Sequence, residues 1–124
     1  MRSGEARYTW GDAVDSHRAN CAGCTSAVST QPTVVGLLAA NGFGLHDMNG
    51  NVAEWVDDCF LPDYHTAPDD GSAKQFLRST CLRRVVRGGS WRSSPSEIRS
   101  AARDWFHPDT RNERIGFRIA RVLD

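Results

Sequence analysis

Hydrophobic and polar positions along this chain do not keep one periodicity for long. No stretch repeats apolar residues at the three-to-four-residue spacing of an amphipathic helix, and glycine, proline, asparagine and aspartate recur every few residues. This pattern is typical of short elements joined by structured loops. We therefore expect an α+β fold made mostly of short strands and irregular loops, with little helix.

Four segments are compatible with strands. Val52–Phe60 alternates imperfectly, so a short helix is an open alternative there. Gly116–Val122 alternates apolar residues with arginines and favours a strand lined by long side chains. The remaining candidates are Arg83–Val86 and Arg99–Trp105. The Gly88–Gly89 pair, which lacks the lysine and helix of a phosphate-binding loop, favours a strand end where two backbones approach closely.

The length of 124 residues predicts a single domain over residues 1–124 with one modest core. An apolar fraction of 40% with 24% charged residues is ordinary for a folded globular protein. The longest apolar run, Val34–Ala40, is too short to span a bilayer, and residues 1–10 lack the apolar region of a signal peptide. We expect a soluble chain, and the sequence leaves its compartment open.

The net charge is zero, which argues against nucleic acid or an anionic membrane as a partner, yet the two signs are segregated. Residues 47–70 contain seven acids and no lysine or arginine, whereas residues 78–121 contain eleven arginines and four acids. Only Lys74 is a lysine, and arginine suits bidentate pairing with carboxylates. Three interpretations stay open: the halves neutralise each other, the acidic half binds a cation, or the basic half binds an anion.

Cysteines occur as the close pair Cys21 and Cys24 and as the distant Cys59 and Cys81. A zinc site of four thiolates usually shows two close pairs, so zinc is the weaker interpretation. Disulfides, with Cys59–Cys81 as the favoured pair, and free thiols are the alternatives, because spacing does not determine connectivity.

The segment Asp47–Glu54, DMNGNVAE, groups oxygen-bearing side chains around a glycine, as calcium sites do, but without the spacing of an EF-hand. A capped turn is the alternative. The four histidines lack zinc-site spacing, and the serines after Gly89 lack a Gly-x-Ser-x-Gly motif. A histidine metalloenzyme and a serine hydrolase are therefore not indicated.

Several stretches together resemble the formylglycine-generating enzyme family, also called sulfatase-modifying factors. They are GFGLHDMNGNVAEWVDDCF (42–60), RRVVRGGSW (83–91), IRSAARDWFHPDTR (98–111) and IGFRIAR (115–121), with YTWGD (8–12) and RAN (18–20) upstream. The resemblance covers nearly the whole chain. It implies a C-type lectin-like fold in which calcium is bound by the side chains of Asp47 and Glu54 and the backbone oxygens of Gly50 and Val52.

The same resemblance implies how catalysis is lost. Active members oxidise a sulfatase cysteine to formylglycine with oxygen and a copper ion held by two cysteines, and those cysteines match Ser93 and Ile98 here. Neither a serine hydroxyl nor an isoleucine replaces a thiolate on Cu(I), so no copper is expected. Family domains also extend further upstream. The chain is thus expected to be a fragment, a reduced version, or one that completes its sheet by self-association.

We expect a non-catalytic, lectin-like module that binds a protein or a small molecule. Its ligand surface would lie in the loops 92–97 and 105–113, which mix aromatic and hydrogen-bonding groups. The candidate ligand-binding residues are Arg92, Ser94, Trp105, His107, Asp109, Arg111 and Asn112. The alternatives are a fragment or relative of a formylglycine-generating or related oxidase or oxygenase, a subunit that regulates such an enzyme, and a diversified variable protein of a retroelement.

Overall fold

One four-stranded sheet organises the protein in the computed structural model. The structure describes residues 6–62, 65, 68–70, 72–73, 81–121 and 123. The strands are β1 (Ala53–Cys59), β2 (Arg84–Arg87), β3 (Arg103–Phe106) and β4 (Ile115–Gly116), in the spatial order β3-β2-β1-β4. Asp63, Lys74 and Arg78, counted in the charge pattern, lie outside the described residues.

Antiparallel pairing joins β1 to β2 and β2 to β3, whereas β4 runs parallel to the start of β1. Trp55 lies opposite Val86, which in turn lies opposite Asp104, so these three residues share one face of the sheet. The register between β1 and β2 shifts between Trp55 and Cys59. That irregularity explains why the alternation of the first strand segment is imperfect in the sequence.

The expectation of short strands and long irregular loops is confirmed, and the helix alternative for Val52–Phe60 is wrong because Ala53–Cys59 forms β1. All four predicted strands differ from the observed ones in their bounds, and the third and fourth differ most. The third strand begins at Arg103 because residues 99–102 form a turn, in which Ala102 N donates to Arg99 O at 2.9 Å. No helix occurs among the described residues, so the α component of the expected α+β class has no counterpart there.

The predicted strand over Gly116–Val122 is wrong beyond Gly116, and Val122 lies outside the described residues. The short β4 pairs only with Ala53 and Glu54 of β1. After Gly116 the chain leaves the sheet, and Phe117 and Ile119 are 75% and 87% exposed. Apolar alternation alone therefore did not make a strand, because the backbone lost its pairing partner.

The main cluster of buried apolar side chains lies beside the sheet and is small. It contains Tyr8, Ala19, Cys21, Cys24 and Ile98, with Trp10 packed against it. Tyr8 and Trp10 stack with ring centroids 5.0 Å apart, and the Tyr8 hydroxyl donates to Pro95 O at 3.0 Å. These contacts attach the first described segment to the loop after β2.

Disulfides account for all four cysteines. Cys21 is bonded to Cys24 and Cys59 to Cys81, and no cysteine is free. The zinc and free-thiol interpretations are therefore wrong. The sulfurs of the first pair are part of the buried cluster, where they pack as apolar groups against the loop after β2.

The turn Asn49–Asn51 links three distant parts of the chain. Asn51 Oδ1 accepts a hydrogen bond from Thr33 N at 2.8 Å, Asn51 N donates to Asn20 O at 2.8 Å, and Asn51 O accepts from Trp91 N at 2.7 Å. Gly50 has a φ of 80°, and a Cβ there would lie 2.5 Å from Asn20 O. A glycine is thus required at this position both by conformation and by space.

Candidate functional site

An open cleft of about 660 Å³ lies over one face of the sheet. Its floor is apolar, because Ala53, Val86, Phe106 and Ile115 line it from the four strands. The loops 88–93 and 96–102 and the side chain of Arg114 form its walls. We call this the central cleft. Its volume and mixed lining are in the range of ligand-binding sites.

Ser93 and Ile98 occupy different places relative to this cleft. Ile98 is completely buried in the main apolar cluster. Ser93 lines the cleft, and its hydroxyl oxygen accepts a hydrogen bond from Ser90 N at 3.0 Å. Ser93 O also accepts from Ala22 N at 2.9 Å, so the loop is tied to the Cys21–Cys24 turn. These hydrogen bonds fix the geometry of the loop after β2.

Five arginines and two acids line the central cleft. These charged residues are Arg87, Arg92, Arg99, Arg103, Arg114, Glu97 and Asp104. Two of the arginines are anchored by backbone carbonyls: Arg87 donates to Ser100 O at 2.7 Å, and Arg103 donates to Leu61 O at 2.9 Å. The guanidinium carbon of Arg103 also lies 5.2 Å from the ring centroid of Phe60. Anchored guanidinium groups are held in place before a ligand arrives.

The other three arginines of the cleft, Arg92, Arg99 and Arg114, form no ion pair among the described residues. Arg99 donates to Ser96 O at 2.7 Å. Arg114 Nε is buried and has no hydrogen-bond partner. A buried donor without an acceptor is costly, so a ligand that supplied an acceptor there would remove this cost.

Both acids of the cleft accept hydrogen bonds from uncharged donors. Glu97 Oε2 accepts hydrogen bonds from the backbone N and the hydroxyl of Ser94, at 2.7 and 2.8 Å. Hydrogen bonding from the Ser94 backbone, then from its hydroxyl, lowers the pKa of Glu97. Asp104 Oδ1 accepts from Trp105 N at 2.7 Å. No ion pair between either acid and Arg92, Arg99 or Arg114 occurs among the described residues, so direct contact does not neutralise these three guanidinium groups.

The structure separates the residues predicted to bind a ligand. Arg92 lines the central cleft, whereas Ser94 is bonded to Glu97 and does not line it. Trp105 lies outside the lining, where the guanidinium of Arg83 is 4.6 Å from its ring centroid. One continuous surface through loops 92–97 and 105–113 is therefore not formed around this cleft.

The remaining predicted ligand residues occupy the loop between β3 and β4. His107 Nδ1 lies 3.6 Å from Asp109 Oδ2, and both side chains are exposed. Arg111 is exposed as well. Asn112 Oδ1 accepts a hydrogen bond from Arg114 N at 2.9 Å, so it shapes the backbone that carries a cleft arginine.

The predicted calcium ligands lie next to a guanidinium group. Glu54 accepts hydrogen bonds on both carboxylate oxygens from Arg118, with Arg118 Nε to Oε2 at 2.7 Å. Arg118 also donates to His46 O at 3.0 Å and to Asp47 O at 3.4 Å. The hydrogen bond that Arg118 donates to Glu54 is the main cause of the raised pKa of Arg118.

Asp47 offers the feature that best suits a hard cation. Its Oδ1 atom is buried without a hydrogen-bond partner, while Oδ2 accepts from Gly36 N at 2.8 Å. The residues present fit a calcium ion only if Arg118 releases Glu54, because both cations use the same carboxylate. Among the described residues, no three His, Cys, Asp or Glu side chains form a metal-binding group.

In the described part of the chain, no helix is long and apolar enough to cross a membrane.

Comparison with known proteins decides the family. Residues 1–123 match the Sulfatase-modifying factor enzyme 1-like domain. The chain belongs to the formylglycine-generating enzyme family. A formylglycine-generating enzyme of Thermomonospora curvata is 34% identical over 94% of this chain and 43% of that enzyme. The family domain thus accounts for almost every residue of the chain.

Two further relatives are much longer than this chain. The Serine/threonine-protein kinase pkn1 of Chlamydia caviae is 33% identical over 94% of this chain but only 18% of the kinase. The hercynine oxygenase of Mycolicibacterium smegmatis is 32% identical over 92% of this chain and 27% of that enzyme. The chain therefore spans less than half of the length of each of these relatives.

Two solved structures share the fold of this family domain. PvdO from Pseudomonas aeruginosa superimposes with a TM-score of 0.75 and 33% identity, over 90% of this chain and 42% of that one. Treponema denticola variable protein 1 gives a TM-score of 0.68 and 27% identity, over 93% and 41%. Both superpositions cover at least 90% of this chain, so the strand-and-loop architecture is shared over almost its whole length and not only at the motifs.

Four arginines of the cleft, Arg87, Arg99, Arg103 and Arg114, were not predicted as functional residues from the sequence. The signal that could have found them is the density of arginine in residues 78–121. That signal gives the sign of the charge but not which guanidinium groups meet at one place.

Proposed function

We propose that this member of the formylglycine-generating enzyme family is a non-catalytic binding domain with a C-type lectin-like fold. The central cleft, where Ser93 lies at the wall and Ile98 is buried behind it, is the ligand site. The ligand is a protein segment or a small molecule.

The observation that carries this proposal is the burial of Ile98. An isoleucine has no donor atom, and its side chain is fully enclosed next to the Cys21–Cys24 disulfide. A copper ion held by two thiolates would need soft ligands at this wall, and Ser93 supplies only a hydroxyl that already accepts a hydrogen bond. A cleft of about 660 Å³ is present although neither Ser93 nor Ile98 carries a thiol.

A copper titration tests the proposal. The protein is incubated with Cu(I), oxygen and a cysteine-containing sulfatase peptide, and oxygen uptake and peptide mass are followed. We expect no turnover and no Cu(I) binding at the cleft. Formation of formylglycine, or oxygen uptake that depends on the peptide, would overturn the proposal and favour the oxidase or oxygenase alternative.

A paired substitution gives this test a positive arm. Ser93→Cys with Ile98→Cys restores the two thiols at the family positions, whereas Ser93→Cys alone supplies only one. Cu(I) binding gained by the double variant and not by the single variant would support the interpretation that these positions are the lost metal site. Equal binding by both variants and the unmodified protein would contradict it.

Calcium is proposed as the second component of this binding domain. The unpartnered Oδ1 atom of Asp47 supports it, and the contact between Glu54 and Arg118 opposes it. The competition between calcium and Arg118 makes the proposal directly measurable.

A further inference from the structure

We propose that the central cleft binds an anionic ligand in which an oxyanion adjoins an apolar group. The inference rests on the proposed function, since it names the ligand class of the same cleft. It does not depend on which larger protein or metabolite carries that group.

The charge of the lining gives the first step. Five arginines and two acids line one cleft in a chain whose net charge is zero. The five arginines exceed the two acids by three, and Arg92, Arg99 and Arg114 form no ion pair among the described residues. Glu97 and Asp104 accept hydrogen bonds from Ser94 and Trp105. Oxyanions are the natural complement, because guanidinium groups bind carboxylates and phosphates through paired hydrogen bonds.

The unpartnered donor of Arg114 gives the second step. Its Nε atom is buried and the residue lines the cleft, yet the atom has no acceptor. The backbone around Arg114 is firmly held, since Arg114 O accepts from Ala53 N at 2.8 Å and Arg114 N donates to Asn112 Oδ1. An oxyanion in the cleft would supply the missing acceptor to a guanidinium group that is already positioned.

The floor of the cleft gives the third step. Ala53, Val86, Phe106 and Ile115 present an apolar surface beneath the arginines. A free inorganic anion would leave this surface in contact with water, whereas a ligand with an apolar group next to its oxyanion would cover it. Such a ligand would bind the arginines through its oxyanion and cover the apolar floor with its apolar group.

Matched probes test this inference on the 124-residue chain by isothermal titration calorimetry. Isophthalate carries two carboxylates on an aromatic ring, and isophthalamide has the same shape without charge. Phenyl phosphate distinguishes phosphate from carboxylate recognition. We expect isophthalate or phenyl phosphate to bind at least about tenfold more tightly than isophthalamide, as charge-assisted hydrogen bonds predict.

Variants assign the binding to the cleft. Arg114→Gln and Arg92→Gln should each weaken binding of the anion about tenfold. Arg121→Gln removes an exposed arginine that does not line the cleft, and it should leave the affinity unchanged. Arg92 is exposed, so its variant tests the inference even if Arg114→Gln fails to fold.

Two results would overturn the inference. One is an affinity for both anions no greater than that for isophthalamide, and the other is binding that survives both cleft substitutions. Neither result bears on the copper titration, so failure of the ligand class is distinguishable from failure of the non-catalytic function.

Discussion

The side-chain amide of Asn49 donates a 2.6 Å hydrogen bond to the backbone carbonyl of Ile98. Its other side-chain atom, Oδ1, accepts from the hydroxyl and the backbone N of Thr9, at 2.8 and 3.3 Å. Asn49 is 2% exposed, so its bond to Ile98 forms away from water, whereas Thr9 is exposed. One amide thus connects the first described segment to the loop that forms the wall of the central cleft.

Replacement of Asn49 should therefore be costly. Asn49→Ala leaves the buried carbonyl of Ile98 without its partner and removes both hydrogen bonds from Thr9, and we expect a loss on the order of 3 kcal/mol in the free energy of unfolding. Urea unfolding measures it. The matched control is Asn41→Ala, since Asn41 Oδ1 accepts from Phe43 N and Leu45 N at an exposed turn. Equal losses for the two variants would contradict a special role of the buried amide.

A pair of glycine substitutions separates crowding from backbone strain. Gly50 and Gly44 have φ values of 80° and 75°, but a Cβ at Gly50 would lie 2.5 Å from Asn20 O, whereas one at Gly44 meets no atom within 4 Å. We expect Gly44→Ala to cost about 1 kcal/mol and Gly50→Ala at least about 3 kcal/mol. Thermal and urea unfolding check this, and similar costs at both sites would show that strain alone matters.

Calcium binding at Asp47 and Glu54 predicts a metal-dependent melting temperature. At about 100 times its Kd, calcium would add about 2.7 kcal/mol of stability relative to chelator, which corresponds to several degrees. Scanning calorimetry with calcium or EDTA measures the shift.

Substitutions assign this shift to the predicted site. Glu54→Ala should abolish the difference between calcium and EDTA, while Asp69→Ala, at an exposed acid outside the predicted ligand set, should retain it. A melting temperature unaffected by calcium in the unmodified protein would instead indicate that Arg118 alone neutralises Glu54.

The hydrogen bonds from Ser94 to Glu97 predict a dependence on pH. Because the pKa of Glu97 is lowered in the folded state, its contribution to stability is present above the unfolded pKa of about 4.3 and is lost as the pH falls through the folded pKa. Ser94→Ala removes the hydroxyl donor and keeps the backbone donor. The pKa of Glu97 should therefore rise toward its ordinary value without reaching it.

Two measurements check this prediction. An NMR titration of the Glu97 carboxyl carbon follows its pKa directly. Stability at pH 7 should fall by less than about 1 kcal/mol in Ser94→Ala, because solvent screens this exposed group, and the difference should shrink as the pH falls through the folded pKa of Glu97. Ser100→Ala, whose side chain does not contact Glu97, serves as the control. A pKa unchanged in Ser94→Ala would contradict the assignment.

Much of the candidate site was accessible from local sequence. Gly88 and Gly89 line the cleft, and the sequence shows directly that Ser93 and Ile98 carry no thiol, because the presence of a donor atom depends on residue type alone. The segregation of charge likewise predicted an anion site as one alternative. By contrast, the strand predicted over Gly116–Val122 failed because strand formation needs a pairing partner as well as alternation.

By itself the sequence determined the family, the short strand-and-loop character and the absence of thiols at Ser93 and Ile98, since these follow from residue types in order. Only the tertiary structure decided that Arg114 and Arg92 line one cleft while Trp105 lies outside it. It also decided that Arg118 binds Glu54, 64 residues away. Such contacts depend on how distant segments pack, and no local pattern of residues encodes a distance across the sheet.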